Sequence, residues 1–140
     1  MNSVDLAKKI CVYAHKGQYD KAGIPYFEHP FVVASYMDTE EEKIVAYLHD
    51  VLEDTTISVD ELSKCDFSNN VIESLKVITR NPDDDYQSYI KKISKNKIAR
   101  KVKMADLIHN SDLSRIEHPS KKDIARCEKY RKAMIYLATH

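Results

Sequence analysis

The amino-acid sequence predicts an all-α protein, and three observations support this fold class. Apolar residues recur every three or four positions along most of the chain, the spacing that places them on one face of a helix. Only two glycines occur, Gly17 and Gly23, and both lie in one short segment. No stretch shows the strict alternation of apolar and polar residues typical of a half-buried strand, and no Asn-Gly or Asp-Gly pair marks a hairpin.

Each predicted helix has a local reason to begin or continue. Leu6, Ile10 and Ala14 form the apolar stripe of the first helix. Pro30 suits the first turn of the second helix, because the N–H that proline lacks would have no partner there. Three pairs have the spacing of a capping box, in which each side chain bonds the other residue's backbone N–H: Thr39 with Glu42, Ser58 with Glu61, and Ser120 with Asp123. In chain order the predicted helices span about 3–15, 30–37, 40–54, 59–64, 70–79, 83–94, 97–113 and 120–138.

Composition narrows the function classes. The 22 basic and 22 acidic residues give a formal net charge of zero, so we expect neither a nucleic acid nor a membrane as partner. The first twelve residues lack the apolar segment of a signal peptide, and no apolar run approaches membrane-spanning length, so a cytoplasmic location is expected. The 140 residues suit one domain, 1–140.

Three widely spaced cysteines (Cys11, Cys65 and Cys127) predict reduced thiols. The sequence leaves open whether the protein is a monomer or a homo-oligomer.

One segment, LHDVLEDT at 48–55, concentrates ionisable groups among apolar residues. On a helix, Asp50, Glu53 and Asp54 lie at about 100°, 40° and 140° from His49, while the apolar residues occupy the opposite arc. Carboxylates this close repel one another, so a positive group should lie among them if the segment is buried. A solvated amphipathic face explains the same spacing, and both interpretations stay open.

Two further positions offer similar chemistry. His29 lies where a loop enters a helix, and Asp106 lies between apolar residues of another helix. A capping histidine and an exposed, salt-bridged helix are the alternatives. Together with His49 and Asp50 they provide two imidazoles and two carboxylates, a donor set that suits Mn²⁺, Fe²⁺, Ni²⁺ or Zn²⁺ better than Mg²⁺ or Ca²⁺. Spacing cannot show that these groups converge, because they belong to three separate helices.

Three ordered blocks carry a family resemblance: residues 14–34 contain PYxxHP, residues 46–55 contain HD followed by ED, and residues 102–110 contain KxADxxHN. In this combination the sequence resembles the HD-domain metal-dependent phosphohydrolases. It is most similar to the hydrolase domain of the RelA/SpoT stringent-response enzymes and to their small single-domain relatives. The resemblance implies a compact HD-type bundle of about seven or eight helices that binds a small-molecule nucleotide.

Site residues follow from the resemblance position by position. It implies that His29, His49, Asp50 and Asp106 bind one divalent metal, usually Mn²⁺. It also implies that the next acidic pair, Glu53 and Asp54, positions water and transfers protons.

The resemblance also implies nucleotide contacts at Asn110 and at the loop residue Lys21. Tyr19 is expected to offer a stacking surface, with a half-buried structural tyrosine as the alternative. Lys103 is a further candidate phosphate partner, with a surface lysine as the alternative. Arg80 and Arg100 are two more candidate phosphate partners, but both are expected to be solvated.

The first loop departs from the family pattern. Where the stringent-response enzymes typically have RKSG, this chain has DKAG at 20–23, and Leu113 replaces a threonine. The implied function is therefore a (p)ppGpp 3′-pyrophosphohydrolase-like activity, with two alternatives. One is hydrolysis of a different nucleotide or phosphoester; the other is a nucleotide-binding module without catalysis.

Overall fold

The computed structural model describes residues 2–140, and the all-α prediction is confirmed for them. The helices are α1 (Ser3–Ala14), α2 (Glu28–Ser35), α3 (Glu40–Leu48), α4 (Val51–Asp54), α5 (Val59–Ser63), α6 (Asn69–Ile78), α7 (Tyr86–Ser94), α8 (Lys97–Asn110) and α9 (Lys121–Thr139). A short 3₁₀ helix, Leu113–Arg115, follows α8. Within residues 2–140, the β-type backbone pairing is one isolated antiparallel bridge between Tyr19 and Pro25.

The predicted helix 40–54 is divided in the structure. Leu48 ends α3 and Val51 begins α4, so the His49–Asp50 pair forms a turn between them. The ring Nδ1 of His49 lies 2.6 Å from the carbonyl oxygen of Ala46 and so competes for a backbone acceptor of the last turn of α3. The angles expected from one continuous helix therefore do not apply to this segment.

Two central helices hold the core together. Helix α3 packs against α1, α2, α6 and α8, while α8 also contacts α2, α6, α7 and α9. Both helices contribute fully buried side chains, including Val45 and Leu48 from α3 and Val102 and Leu107 from α8. Because α3 and α8 lie against each other, the turn that follows α3 is held beside the C-terminal half of α8.

All three predicted capping boxes are present, at the starts of α3, α5 and α9. Each satisfies backbone N–H groups that a helix start otherwise leaves without partners. The box at α3 is extended by a cation, because Lys101 Nζ lies 2.9 Å from Glu42 Oε1. Burial by itself raises the pKa of Glu42, but hydrogen bonds from Lys101 and from the backbone N–H groups of Asp38 and Thr39 lower it to about 2.

Substitution Glu42→Gln is expected to lower the free energy of unfolding at pH 7 by about 1–2 kcal/mol. A pKa that is lower in the folded protein stabilises it above the unfolded-state pKa, and this contribution is lost as the pH falls through the folded-state value. The difference between the two proteins should therefore shrink below about pH 4.5. Urea unfolding from pH 7 to pH 3 measures it. A difference that stays constant with pH would show that the glutamate charge is not its cause.

The structure tests the expectations for the cysteines, for Arg100 and for membrane-spanning segments. The three cysteines are free thiols; Cys11 is buried, and Cys65 and Cys127 are half-buried. The expectation of a solvated Arg100 is wrong, because its guanidinium donates to the carbonyl oxygens of Ser94 and Leu137 and ties α7 to α9. Within residues 2–140, no helix combines the length and the apolar character needed to cross a membrane.

Candidate metal centre and adjacent cleft

The four predicted metal ligands come together in one cluster. His29 lies in the first turn of α2, His49 and Asp50 in the turn after α3, and Asp106 on α8. One nitrogen or oxygen atom of each lies within 4.8 Å of those of the other three. His29, His49 and Asp106 are at most 4% exposed, and the side chain of Asp50 is 14% exposed. The solvated face, the capping histidine and the exposed ion-paired helix are therefore not what the structure shows for these residues.

Both histidines direct the same ring nitrogen at the cluster. His49 uses Nδ1 to donate to the carbonyl of Ala46, and His29 Nδ1 lies 2.7 Å from His109 Nδ1. Burial, followed by the nearby charge of Arg115 and by His29, lowers the pKa of His109 to about 4, so His109 is neutral and can accept that bond. The Nε2 atoms of His29 and His49 consequently face the carboxylates, the orientation that metal-binding histidines require.

Asp106 connects most of the cluster. Its Oδ1 lies 2.8 Å from His29 Nε2 and 3.3 Å from His49 Nε2, and its Oδ2 lies 2.9 Å from Lys103 Nζ. Asn110 also donates to Asp106 Oδ1, at 3.0 Å. Burial by itself raises the pKa of Asp106, but Lys103 and the two histidines hold that pKa well below the usual value. Asp106 is therefore ionised and held in one orientation.

Asp50 completes the cluster from its more open side. Its Oδ2 lies 3.1 Å from His49 Nε2 and accepts a hydrogen bond of 2.7 Å from the hydroxyl of Tyr26. Burial and the neighbouring Asp50 raise the pKa of Tyr26 far above its usual value, so the phenol stays protonated and remains a donor. Tyr26 thus fixes the carboxylate in the same way that His109 fixes the ring of His29.

The cluster fits a divalent cation. It offers two imidazole nitrogens and two ionised carboxylates, all directed at one small volume, with a single ammonium group, Lys103, as fixed counter-charge. Metal binding requires neutral imidazoles, and with both rings neutral the two negative charges and one fixed positive charge leave a net attraction for a cation. The mixed nitrogen and oxygen donors suit Mn²⁺, Fe²⁺, Ni²⁺ or Zn²⁺.

The acidic pair Glu53 and Asp54 lies on the short helix α4, one turn beyond the cluster. Both residues are open to solvent. Glu53 accepts a hydrogen bond from the backbone N–H of Arg80. The carboxylate of Asp54 accepts no hydrogen bond from residues 2–140, whereas its backbone carbonyl accepts one from the side-chain amide of Gln18 at 3.0 Å. Partial desolvation, together with the charge of Asp50, raises the pKa of each carboxyl group.

The predicted substrate contacts divide between two places. Tyr19, Lys21 and Asn110 line one cavity of about 320 Å³, together with Arg126 and Tyr130 of α9. Tyr19 is 66% exposed and therefore available for stacking, whereas the ammonium group of Lys21 is paired with Asp123.

Lys103 does not line that cavity. It is paired with Asp106, and only 14% of its side chain is exposed, so the surface-lysine alternative is wrong. Burial by itself lowers the pKa of Lys103, but Asp106 raises it well above the usual value.

The loop residue Asp20 has a structural role that the sequence did not indicate. Its Oδ1 accepts from the backbone N–H groups of Ala22 and Ile24, and its Oδ2 lies 3.2 Å from Arg115 Nη2. Arg115 also donates to the carbonyl of His109 at 2.8 Å. The loop has no arginine at position 20, but the guanidinium of Arg115, from the 3₁₀ helix, lies against it.

Of three residues that support the site, His109 was expected from the sequence to lie behind the metal ligands or in the core, whereas Tyr26 and Arg115 were missed. Tyr26 lies within the PYxxHP block, so its position next to His29 was a usable signal. His109 lies three residues after Asp106, which indicated the same helix face but not its contact with His29. No sequence signal indicated Arg115, because its partner Asp20 is 95 positions away.

Several known proteins are similar to this chain in sequence. A guanosine-3′,5′-bis(diphosphate) 3′-pyrophosphohydrolase of Haemophilus influenzae is 32% identical over 113 residues, which cover 69% of this chain and 16% of that protein. One of the same name from Borreliella burgdorferi is 32% identical over 82 residues, 56% of this chain and 12% of that protein. A GTP pyrophosphokinase of Myxococcus xanthus is 27% identical over 144 residues, 88% of this chain and 19% of that protein. The chain thus spans less than a fifth of the length of these relatives.

The fold has a solved counterpart. The structure of a metazoan ortholog of SpoT, described as hydrolysing ppGpp and acting in starvation responses, superposes with a TM-score of 0.82 at 21% identity. The match covers 99% of this chain and 86% of that one. No family model matches the sequence. In sequence the chain is similar to part of these pyrophosphohydrolases and of the pyrophosphokinase, and in fold it is similar to the metazoan SpoT ortholog.

Proposed function

We propose that this protein is a divalent-metal-dependent phosphohydrolase of nucleotides, with a (p)ppGpp 3′-pyrophosphohydrolase-like activity. The observation that carries the proposal is the buried cluster of His29, His49, Asp50 and Asp106 next to the acidic pair on α4. The names of the similar proteins support the substrate class. We further propose Mn²⁺ as the metal, the cytoplasm as the location, a role in the stringent response, and residues 1–140 as one domain, of which Met1 lies outside the described residues.

The orientations of the four candidate ligands are fixed by hydrogen bonds within the protein. His49 Nδ1 is bound to Ala46 and His29 Nδ1 to His109, so the Nε2 atom of each ring already faces the cluster. Burial by itself lowers the pKa of His49, but Asp50 and Asp106 raise it well above its usual value, so His49 Nε2 would release a proton when a cation binds. Asp50 and Asp106 are held ionised by their neighbours. A divalent cation held by these four groups would lower the pKa of a bound water and offset negative charge developing on phosphorus.

Glu53 and Asp54 would handle protons during hydrolysis. Because each has a raised pKa and solvent access, a carboxylate of this pair can accept a proton from the attacking water and later return one to the leaving oxygen. Asp54 is the freer of the two, since Glu53 is also bonded to the backbone of Arg80. The cavity lined by Tyr19 and Asn110 would hold the nucleoside.

Purified protein assayed with several metals and a nucleotide panel tests the proposal. We expect guanosine 5′-diphosphate 3′-diphosphate to yield GDP and pyrophosphate in the presence of Mn²⁺, and EDTA to abolish the reaction. If another nucleotide is cleaved and this one is not, the substrate assignment is wrong and the hydrolase class stands. If no nucleotide is cleaved with any metal but one binds, the chain is a nucleotide-binding module.

Hydrolysis of a different nucleotide is the second candidate, and the loop at 20–23 favours it. Asp20 and Ala22 stand where the similar enzymes have arginine and serine, so the guanosine contacts must differ. The guanidinium of Arg115, held by Asp20 and by His109, now lines the same cavity.

Substitution Arg115→Ala is expected to raise the KM for the cleaved nucleotide about threefold to tenfold, the range of a lost guanidinium–base contact. The kcat should change less than the KM, because Arg115 is not among the groups directed at the cation site. Steady-state kinetics measures both constants. Arg131→Ala is the matched control, since Arg131 forms an exposed pair with Glu128 on α9. An unchanged KM would show that Arg115 only anchors the loop.

A further inference from the structure

Three cations from three parts of the chain gather beside the metal centre. This cation cluster consists of Arg80, which follows α6, Lys103 on α8 and Lys129 on α9. Lys129 Nζ lies 3.9 Å from the centre of the Tyr86 ring, and Arg80 Cζ lies 5.2 Å from the same centre. The expectation of a solvated Arg80 is therefore wrong: the residue is half-buried and donates through Nη2 to the carbonyl of Asp84.

The cluster carries more positive than negative charge. Lys103 is paired with Asp106, but for Arg80 and Lys129 the residues described by the structure provide no carboxylate within ion-pair distance. Arg80 Nε of the cluster, and Oη of the Tyr86 ring between Arg80 and Lys129, are buried without a hydrogen-bond partner. Buried donors without partners are rare and costly in folded proteins, unless a ligand satisfies them. Burial lowers the pKa of Lys129, and the neighbouring charges of Arg80 and Lys103 lower it further.

The cluster is connected to the proposed reaction centre on two sides. The backbone N–H of Arg80 donates to the carboxylate of Glu53, and Lys103 donates to Asp106. The Tyr86 ring links the two sides, since it packs against Tyr89, whose ring lies under Lys103.

The cavity lined by Tyr19 and Lys21 differs from the cation cluster, because its cations are paired with carboxylates. There Lys21 and Arg126 share Asp123, and Arg115 is paired with Asp20, so each of these cations already has a carboxylate partner. A polyanionic ligand would gain more at the cation cluster, where Arg80 and Lys129 have no carboxylate partner within ion-pair distance among the described residues.

We infer that Arg80, Lys129 and the hydroxyl of Tyr86 form a phosphate subsite that holds phosphate groups of the substrate beside the bond to be hydrolysed. Arg80 offers its positive charge and the guanidinium N–H groups that the carbonyl of Asp84 does not use. Lys129 offers a mobile point charge, and Tyr86 a neutral donor. The inference rests on the proposed function for its ligand, a nucleotide phosphate, but the anion site itself can be tested without turnover.

Calorimetric titration of the full chain with inorganic pyrophosphate, in the presence of EDTA, measures the subsite alone. The wild type should bind pyrophosphate. The double variant Arg80→Gln/Lys129→Gln should raise the Kd for pyrophosphate at least about tenfold. Tyr86→Phe should raise the same Kd about threefold. Lys122→Gln, at an exposed lysine of the same helix α9, should leave the Kd unchanged. Thermal unfolding shows whether each variant is folded. If the double variant is not, Tyr86→Phe still tests the subsite, because it keeps the aromatic ring.

Steady-state kinetics of nucleotide hydrolysis then distinguishes the phosphate subsite from the proposed hydrolase function. In active protein the double variant should raise the KM of the cleaved nucleotide about tenfold and change kcat less. Pyrophosphate binding that depends on Arg80 and Lys129, without turnover of any nucleotide, would contradict the proposed function and leave the subsite intact. The subsite is overturned if the wild type binds no pyrophosphate in EDTA, or if the double variant keeps the wild-type Kd and KM within about twofold.

Discussion

Substitution His49→Ala is expected to abolish metal binding and hydrolysis together, with a loss of turnover of at least about a thousandfold. His49 provides one of the four groups that converge within 4.8 Å, and its Nε2 faces both Asp50 and Asp106. Alanine removes that donor and leaves two carboxylates and one imidazole to hold the cation. Metal content by elemental analysis after loading with Mn²⁺, together with the rate of nucleotide hydrolysis, measures the two losses on the same sample.

His118→Ala is the matched control for this experiment. The side chain of His118 is 91% exposed, and it belongs to no part of the cluster, so both metal content and rate should equal those of the wild type. Circular dichroism shows whether the His49 variant keeps its helices. A folded His49→Ala protein that still binds one equivalent of metal and hydrolyses nucleotide at the wild-type rate would refute the metal centre.

Substitutions Glu53→Gln and Asp54→Asn are expected to separate chemistry from metal binding. Each should lower kcat by about a hundredfold to ten-thousandfold, the usual contribution of a general acid or base, while metal content stays at the wild-type level. In the Glu53→Gln variant the new side-chain amide oxygen can still accept the backbone N–H of Arg80, so the local fold should persist. Asp54→Asn should have the larger effect, because Asp54 is the freer carboxylate.

Asp60→Asn controls for the loss of an exposed negative charge near this region, since Asp60 lies on the neighbouring helix α5. It should leave kcat and metal content unchanged. If both Glu53→Gln and Asp54→Asn keep kcat within about threefold of the wild type, proton transfer does not depend on this pair. Loss of metal in either variant would instead assign the residue to the metal site.

The helices themselves were largely predictable because their signals are local. The capping box of α3 needs only Thr39 and Glu42, three residues apart, and the apolar stripe of α1 needs only a regular spacing. All eight predicted helices occur, with ends shifted by a few residues. The exception is the division at His49–Asp50, where a side chain bonds the backbone of its own helix, an effect that helical periodicity does not report.

The site was only partly predictable. The residues suggested a metal site from two imidazoles and two carboxylates, and the family resemblance implied their roles. That His29 and Asp106 meet, at 2.8 Å across 77 positions, follows from the packing of α2 and α8 and not from any spacing. The Asp20–Arg115 pair and the Arg80–Tyr86–Lys129 arrangement depend in the same way on elements distant in the chain.

By itself, therefore, the sequence determined the helical class, the helix starts and the chemical identity of the candidate ligands, since these depend on residue type and on contacts within about one turn. Only the tertiary structure decided which ring nitrogens face the cluster, which lysine is buried against Asp106 and where positive charge is left uncompensated. These are outcomes of long-range packing, because burial and charge pairing depend on neighbours that the chain brings together only when it folds.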